Sequence, residues 1–261
     1  LHIAKKLKNL KRKILLSIID MININEITKK YSARHFSMDY LNANPVPWIA
    51  LPDFLPDELF KKISQQVEDI PKQRWTKFTR NGSYMEECTN NYSDVAPLIR
   101  QLNLEMNSSE FVTWLEDFTK ESKLIPDPHM VGAGLMKSYK GHSLKMHTDF
   151  NWNEELHLNR QLNLILYLSK EWQPDWQGGL QFRNFENTET VAEITPEPNT
   201  LLMWKYHPKL RHGHPHPMTC PDTVERVGFR IFYYTSNSTP EEKPHRSLYY
   251  EDEHGNPVDK K

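Results

Sequence analysis

The sequence predicts an α+β fold in which helices of the first half support one face of a jelly roll formed by the second. Three observations lead there. Before residue 125, apolar side chains recur at helical spacing; from Met130 onward, short strand-like runs alternate with turn residues; and no internal repeat or flexible linker divides the chain. Helices followed by many short, regularly spaced strands make up an α+β protein whose strands close into a sandwich or barrel. A chain of 261 residues is an ordinary size for one integrated domain. Within it, 1–125 reads as a mostly helical region, 126–240 as the jelly-roll core and 241–261 as a charged tail.

The elements follow in chain order. Leu1 to Asp20 puts Ile3, Leu7, Leu10, Ile14 and Ile18 on one stripe among Lys5, Lys6, Lys8, Lys11, Arg12 and Lys13, the pattern of a helix docked on the domain. The run Ile14-Leu15-Leu16 is too short for a signal peptide and no small-residue cleavage site follows it. No stretch is apolar for long enough to span a bilayer, so a cytoplasmic location is expected. Asp57 to Ile70 aligns Leu59, Phe60, Ile63, Val67 and Ile70, with Pro56 near the first turn, where its missing N–H does no harm. Ser93 to Met106 forms a second helix. Ser109 to Lys120 forms a third, with Phe111, Trp114, Leu115 and Phe118 on one face and Ser108 or Ser109 as the cap. Strands are expected over Leu135 to Tyr139, Leu144 to Thr148, Gln161 to Leu168, Gly179 to Phe185, Thr200 to Tyr206 and Arg226 to Thr235.

Composition excludes several functions. The net charge of −1 gives no bias toward nucleic acid or anionic lipid, and no basic stripe interleaved with aromatics lies beyond the N-terminal helix. Cys88 and Cys220 are the only cysteines, too few for a disulfide framework and badly spaced for a zinc site.

What remains is a set of ligating side chains. His147 and Asp149 are two residues apart, and positions i and i+2 of a strand share a face. One further histidine from a distant strand would complete a 2-His-1-carboxylate face with open positions, the arrangement of non-heme Fe(II) oxygenases. Zinc stays open as an alternative without cysteine ligands. His207, His212, His214 and His216 are candidates for that histidine. His212, just before Gly213 and ahead of the strand that begins at Arg226, is the first choice and His214 the reserve. In Arg226 to Tyr234, Arg226, Gly228, Arg230 and Phe232 share one face. An arginine facing a barrel interior needs an anion, and a guanidinium fits a carboxylate in bidentate fashion. The simpler alternative is a rim arginine paired with Glu225.

Together these blocks resemble the prolyl 4-hydroxylase-like branch of the Fe(II)/2-oxoglutarate-dependent dioxygenases. The likeness runs from about Phe111 to Tyr249. It rests on Leu124-Ile125-Pro126-Asp127-Pro128-His129, Gly132-Ala133-Gly134-Leu135, Tyr139-Lys140-Gly141, His147-Thr148-Asp149-Phe150-Asn151, the run Arg160 to Leu168, Trp172, Gly178-Gly179-Leu180, His212-Gly213-His214-Pro215 and Arg226. The resemblance implies a double-stranded β-helix (jelly-roll, cupin-like) core. It implies His147, Asp149 and His212 as iron ligands, Arg226 and Tyr167 as partners of the distal carboxylate of 2-oxoglutarate, and Tyr139 as a lining of the same pocket. The cofactors implied are Fe(II), 2-oxoglutarate as cosubstrate, O2, and ascorbate as a reductant. Arg211 and Arg230 depart from the family pattern and reshape the pocket, and the retained Asp149 argues against a halogenase. The reaction implied is hydroxylation of an unactivated C–H bond, on a prolyl or other peptide side chain. The alternatives are a free amino acid or sugar precursor as substrate, or a non-catalytic cupin-like metal-binding module.

Overall fold

The computed structural model describes residues 22–89, 92–236 and 243–250. The helix expected over Leu1 to Asp20 and the end of the tail, 251–261, lie outside the described residues. Five helices are described: α1 (Ile24–Lys29), α2 (Ala33–Asn42), α3 (Asp57–Glu68), α4 (Pro97–Met106) and α5 (Ser109–Thr119). The last three are those read from apolar periodicity. Pro97 stands in the first turn of α4, which sets that helix's start four residues after the predicted Ser93. Ser108 caps α5, its Oγ accepting from Phe111 N at 3.3 Å, and Lys120 ends the helix in a left-handed conformation.

Fourteen strands are described, in chain order β1 (Trp48–Leu51), β2 (Thr76–Arg80), β3 (Ser83–Cys88), β4 (Ile125–Pro126), β5 (Gly134–Ser138), β6 (Leu144–Thr148), β7 (Trp152–Asn153), β8 (Leu158–Tyr167), β9 (Leu180–Arg183), β10 (Thr190–Ile194), β11 (Leu201–Lys205), β12 (His212–His214), β13 (Arg226–Thr235) and β14 (Leu248–Tyr249). The major sheet runs β1-β11-β8-β13-β5-β3-β2, with β4 added on β13 and β7 on β8; the minor sheet runs β10-β9-β12-β6-β14. Every pairing is antiparallel. Three strands of the major sheet thus come from the stretch expected to be mostly helical. β2 and β3 form a hairpin whose turn, Asn81-Gly82, has positive φ at both residues (49° and 73°), the conformation that two-residue hairpin turns demand.

The helices cover the outer face of the major sheet, and one large core lies between them. Phe111, Leu115 and Phe118 of α5 are fully buried there with Leu162, Leu164 and Leu166 of β8 and Val227, Phe229, Ile231 and Tyr233 of β13. Phe111 meets Tyr233 at 6.2 Å and Tyr92 meets Phe229 edge-on at 6.3 Å. A smaller core of Met136, Ile165, Tyr167, Leu180, Phe182, Leu202 and Trp204 fills one end of the space between the sheets. Phe182 and Trp204 of this core pack on the His212 ring at 6.3 and 5.5 Å, beside the candidate ligands His147 and Asp149. Among the described residues, no helix is long and apolar enough to cross a membrane.

Candidate active site

The site is built on the pairing of two minor-sheet strands. In the antiparallel register of β6 and β12, His147 lies directly opposite His212, and their ring centroids are 4.5 Å apart. The register shifts between this pair and the pair His214–Leu144, which leaves one extra residue on β6. Beside this irregularity, the Lys145 carbonyl is 2.9 Å from His147 Nδ1. A carbonyl can only accept, so the proton sits on Nδ1 and Nε2 keeps its lone pair for a ligand. Gly213 allows this close approach, since a Cβ there would stand 2.6 Å from the Leu144 carbonyl oxygen.

Asp149 follows the end of β6 and points at both rings. Its Oδ1 is 3.7 Å from His147 Nε2 and its Oδ2 is 3.4 Å from His212 Nε2. The three potential ligand atoms lie within 4.8 Å of one another. Asp149 Oδ2 and His212 Nδ1 are buried without a hydrogen-bond partner. Two imidazoles and one carboxylate with an unsatisfied buried oxygen fit a divalent transition metal, and the donor set suits Fe(II). Burial alone would raise the Asp149 carboxyl. The Arg160 guanidinium outweighs it and holds the group well below the usual carboxylate range. Burial lowers the His212 pKa, against the opposing pull of Asp149.

Arg160 is the partner that sequence periodicity hides. Its Nη2 is 3.4 Å from Asp149 Oδ2, its Nε donates to Asn163 Oδ1, and its guanidinium lies 3.5 Å from the Phe232 ring centroid and 4.3 Å from that of Phe150. Counting by twos along β8 puts Arg160 with Leu162 and Leu164, under the helices. A register shift leaves Gln161 unpaired, however, because Tyr233 faces Leu162 while Tyr234 faces Arg160. The extra residue brings Arg160 to the inner face with Asn163, the kind of re-aiming that bulges perform beside active sites.

At the apolar end of the interior, Arg226 is 2% exposed and Tyr167 fully buried. Arg226 Nε donates to the Gly178 carbonyl at 2.8 Å and Nη2 to the Tyr167 hydroxyl at 3.4 Å. Glu225 turns instead to Lys137 at 3.3 Å, and no acid pairs with Arg226 among the described residues. Burial lowers the Arg226 pKa and raises that of Tyr167. His214, the reserve ligand, is buried, and its burial holds its pKa well below the usual imidazole range, while His216 is exposed. Tyr139 is not joined to the Arg226–Tyr167 pair. Its hydroxyl donates to Glu86 at 2.9 Å, and its ring packs on His142 and under the Lys137 ammonium. Arg230 pairs with Glu87.

Residues 134–234, which hold the triad and Arg226, match the family model described as the 2OG-Fe(II) oxygenase superfamily. This segment is a 2OG-Fe(II) oxygenase domain. Solved structures with a similar fold include a prolyl hydroxylase from Trichoplax adhaerens in complex with a hypoxia inducible factor oxygen degradation domain peptide fragment. It is 17% identical with a TM-score of 0.56, over 77% of this chain and 90% of that one. A prolyl 4-hydroxylase from Phytophthora capsici is 15% identical with a TM-score of 0.57, over 82% and 66%. HygX from Streptomyces hygroscopicus, with nickel, 2-oxoglutarate and hygromycin B bound, is 9% identical with a TM-score of 0.53, over 85% and 98%. At these identities the likeness is one of fold. No curated protein matches the sequence.

A surface cavity lies beside Phe150, the residue that follows Asp149. It has a volume of about 320 Å³ and is lined by Arg80, Phe150, Trp152, Glu154, Pro244 and Arg246 among others. The loop after Asp149 therefore borders an opening, as its sequence position suggests. Arg80 and residues 244–247 come from segments that carry no motif.

Proposed function

We propose that His147, Asp149 and His212 hold Fe(II), that Arg226 and Tyr167 hold the distal carboxylate of 2-oxoglutarate, and that the chain hydroxylates a prolyl or other peptide side chain. One observation carries the reading. A fully enclosed guanidinium without an acid shares an interior with a ligand-competent 2-His-1-carboxylate triad, so a metal and an anion are called for together. Bound Fe(II) supplies the chemistry that couples oxidative decarboxylation of 2-oxoglutarate to C–H hydroxylation: substrate, O2 and 2-oxoglutarate give hydroxylated substrate, succinate and carbon dioxide.

The protein's share is positioning and electrostatics. The Lys145 carbonyl fixes the tautomer of His147. Arg160 keeps Asp149 ionised and aimed between the two imidazoles. Arg226 and Tyr167 would hold the cosubstrate by its far carboxylate. Phe150, Phe232 and Arg160 form a packed wall beside Asp149 that keeps bulk water from the reacting carbon.

A peptide substrate is supported by two of the similar folds being prolyl hydroxylases, one of them named in complex with a peptide fragment. The test is mass spectrometry of prolyl peptides and of free amino acids and sugars, each incubated with protein, Fe(II), 2-oxoglutarate and ascorbate. A gain of one oxygen on a peptide, with succinate formed in step, is expected. Oxygen gained only on a small molecule would redirect the substrate class. No succinate under any condition would refute the oxygenase reading.

A further inference from the structure

The C-terminal segment 243–250 lies along the metal-binding strand and reaches the triad itself. Asn151 holds its start. Asn151 Nδ2 donates to the Lys243 carbonyl at 3.0 Å, and Asn151 Oδ1 accepts from His245 N at 2.8 Å. The segment then adds β14 to the edge of the minor sheet, with Leu248 opposite Thr148 and Tyr249 opposite His147. Past the strand, the Tyr250 hydroxyl is 3.0 Å from Thr148 Oγ1, and the Arg211 guanidinium lies 3.7 Å from the Tyr250 ring centroid.

The register brings one ring onto a ligand. Tyr249 stacks on the His147 imidazole with centroids 5.1 Å apart and planes at 21°. His212 packs on His147 at 4.5 Å, and the Arg80 guanidinium lies 5.5 Å from the Tyr249 ring centroid. His147 is thus held three ways: by the Lys145 carbonyl at Nδ1, by His212, and by Tyr249. Remove the phenol ring, and the imidazole keeps its hydrogen bond but can rotate about it.

We propose that Tyr249 is a positioning residue of the metal centre, its ring fixing the plane of His147, so that the segment 243–250 is a working part of the site. The inference rests on the triad being a metal site. Metal affinity then depends on a residue that is not a ligand, and metal binding in turn steadies the segment.

The experiment uses the full chain and Co(II) alone as the probe, followed by its visible absorption, for wild type, Tyr249→Phe, Tyr249→Leu and Tyr249→Ala. Phe keeps a flat ring and retains wild-type affinity and spectrum. Leu fills space without a flat face and Ala leaves it open; each weakens Co(II) binding by about three- to tenfold and shifts the absorption band. Thermal melting without metal checks that each variant is folded. Hydrogen exchange on wild type gives an independent arm, in which Co(II) slows exchange across 243–250. Unchanged affinity in Leu and Ala would overturn the proposal, as would an equal loss in Phe or exchange indifferent to Co(II). A wild-type chain that fails to bind Co(II) would instead remove the metal-site reading beneath it.

Discussion

Replacing Arg226 by methionine separates a ligand anchor from a structural residue. The guanidinium is buried with two neutral partners, the Gly178 carbonyl and the Tyr167 hydroxyl, and no acid among the described residues. A buried charge without an opposite charge destabilises the ligand-free fold by several kcal/mol on the order given by buried-pair studies. Losing the bond to Gly178 costs about 1–3 kcal/mol in the other direction. Ligand-free Arg226→Met should therefore melt at or above the wild-type temperature. Toward 2-oxoglutarate the sign reverses, because one member of a buried, hydrogen-bonded charge pair is gone, at about 2–5 kcal/mol. That is roughly 30- to 4,000-fold in affinity. Calorimetric titration of 2-oxoglutarate into metal-loaded protein reads the affinity, and thermal melting reads the linkage. At a ligand concentration near 100 times its Kd, the wild type gains about 2.7 kcal/mol, and the variant about 0.9 kcal/mol or less at that same concentration. An Arg226→Met protein that binds 2-oxoglutarate within about threefold of wild type would refute the assignment.

Three further outcomes follow from the geometry. Asp149→Ala should abolish succinate formation and also leave Arg160 buried without its anion, a destabilisation of about 3–5 kcal/mol by urea denaturation; full stability would mean that Arg160 has another partner. Gly213→Ala forces a methyl to within 2.6 Å of the Leu144 carbonyl and 2.9 Å of the Lys145 carbonyl. It should push β12 off β6, lower stability by about 1–3 kcal/mol and weaken Co(II) binding, both checked on one preparation. Burial pushes the Cys88 thiol up to about 11. Since the thiolate is the nucleophile, at pH 8 such a group is ionised in about one molecule per thousand. Ellman-type titration of native protein should find neither Cys88 nor Cys220 reacting quickly, and both should react on unfolding.

Strand periodicity read the central architecture because the strands behind the site are long or sharply bounded. β6 and β13 begin and end at the predicted residues. In β13 the alternation separates Arg226, Gly228 and Arg230 from Val227, Phe229 and Ile231, which pack under the helices. Alternation failed wherever one residue was added. Arg160 crosses to the inner face because Gln161 is unpaired, and a rule of period two cannot foresee that. The β2–β3 hairpin carries a turn signal but no strand signal. Its Asn81-Gly82 turn is a strong signal, but β2 is mostly exposed and carries no apolar run. Tyr249 had no signal at all. β14 is two residues long, and its pairing to His147 is set by contacts made elsewhere, chiefly at Asn151. Tyr139, expected to line the cosubstrate pocket, has its hydroxyl committed to Glu86. Ser138 pairs with Arg226, and the next residue turns to Glu86.

The direct pairing of His147 with His212 also sets an order of assembly. These neighbours are separated by 212 − 147 = 65 positions along the chain. A growing polypeptide that ends before β12 carries one imidazole and the acid but no second imidazole opposite them. The anchoring guanidinium follows 226 − 212 = 14 positions later, and the stacked phenol another 249 − 226 = 23 after that. Long-range closures of this kind form late, since the chain must be ordered over the whole loop before the contact returns any energy. On the proposed metal reading, tight capture therefore waits until β12 has been made and paired with β6, so that the first imidazole and the acid alone do not complete a centre.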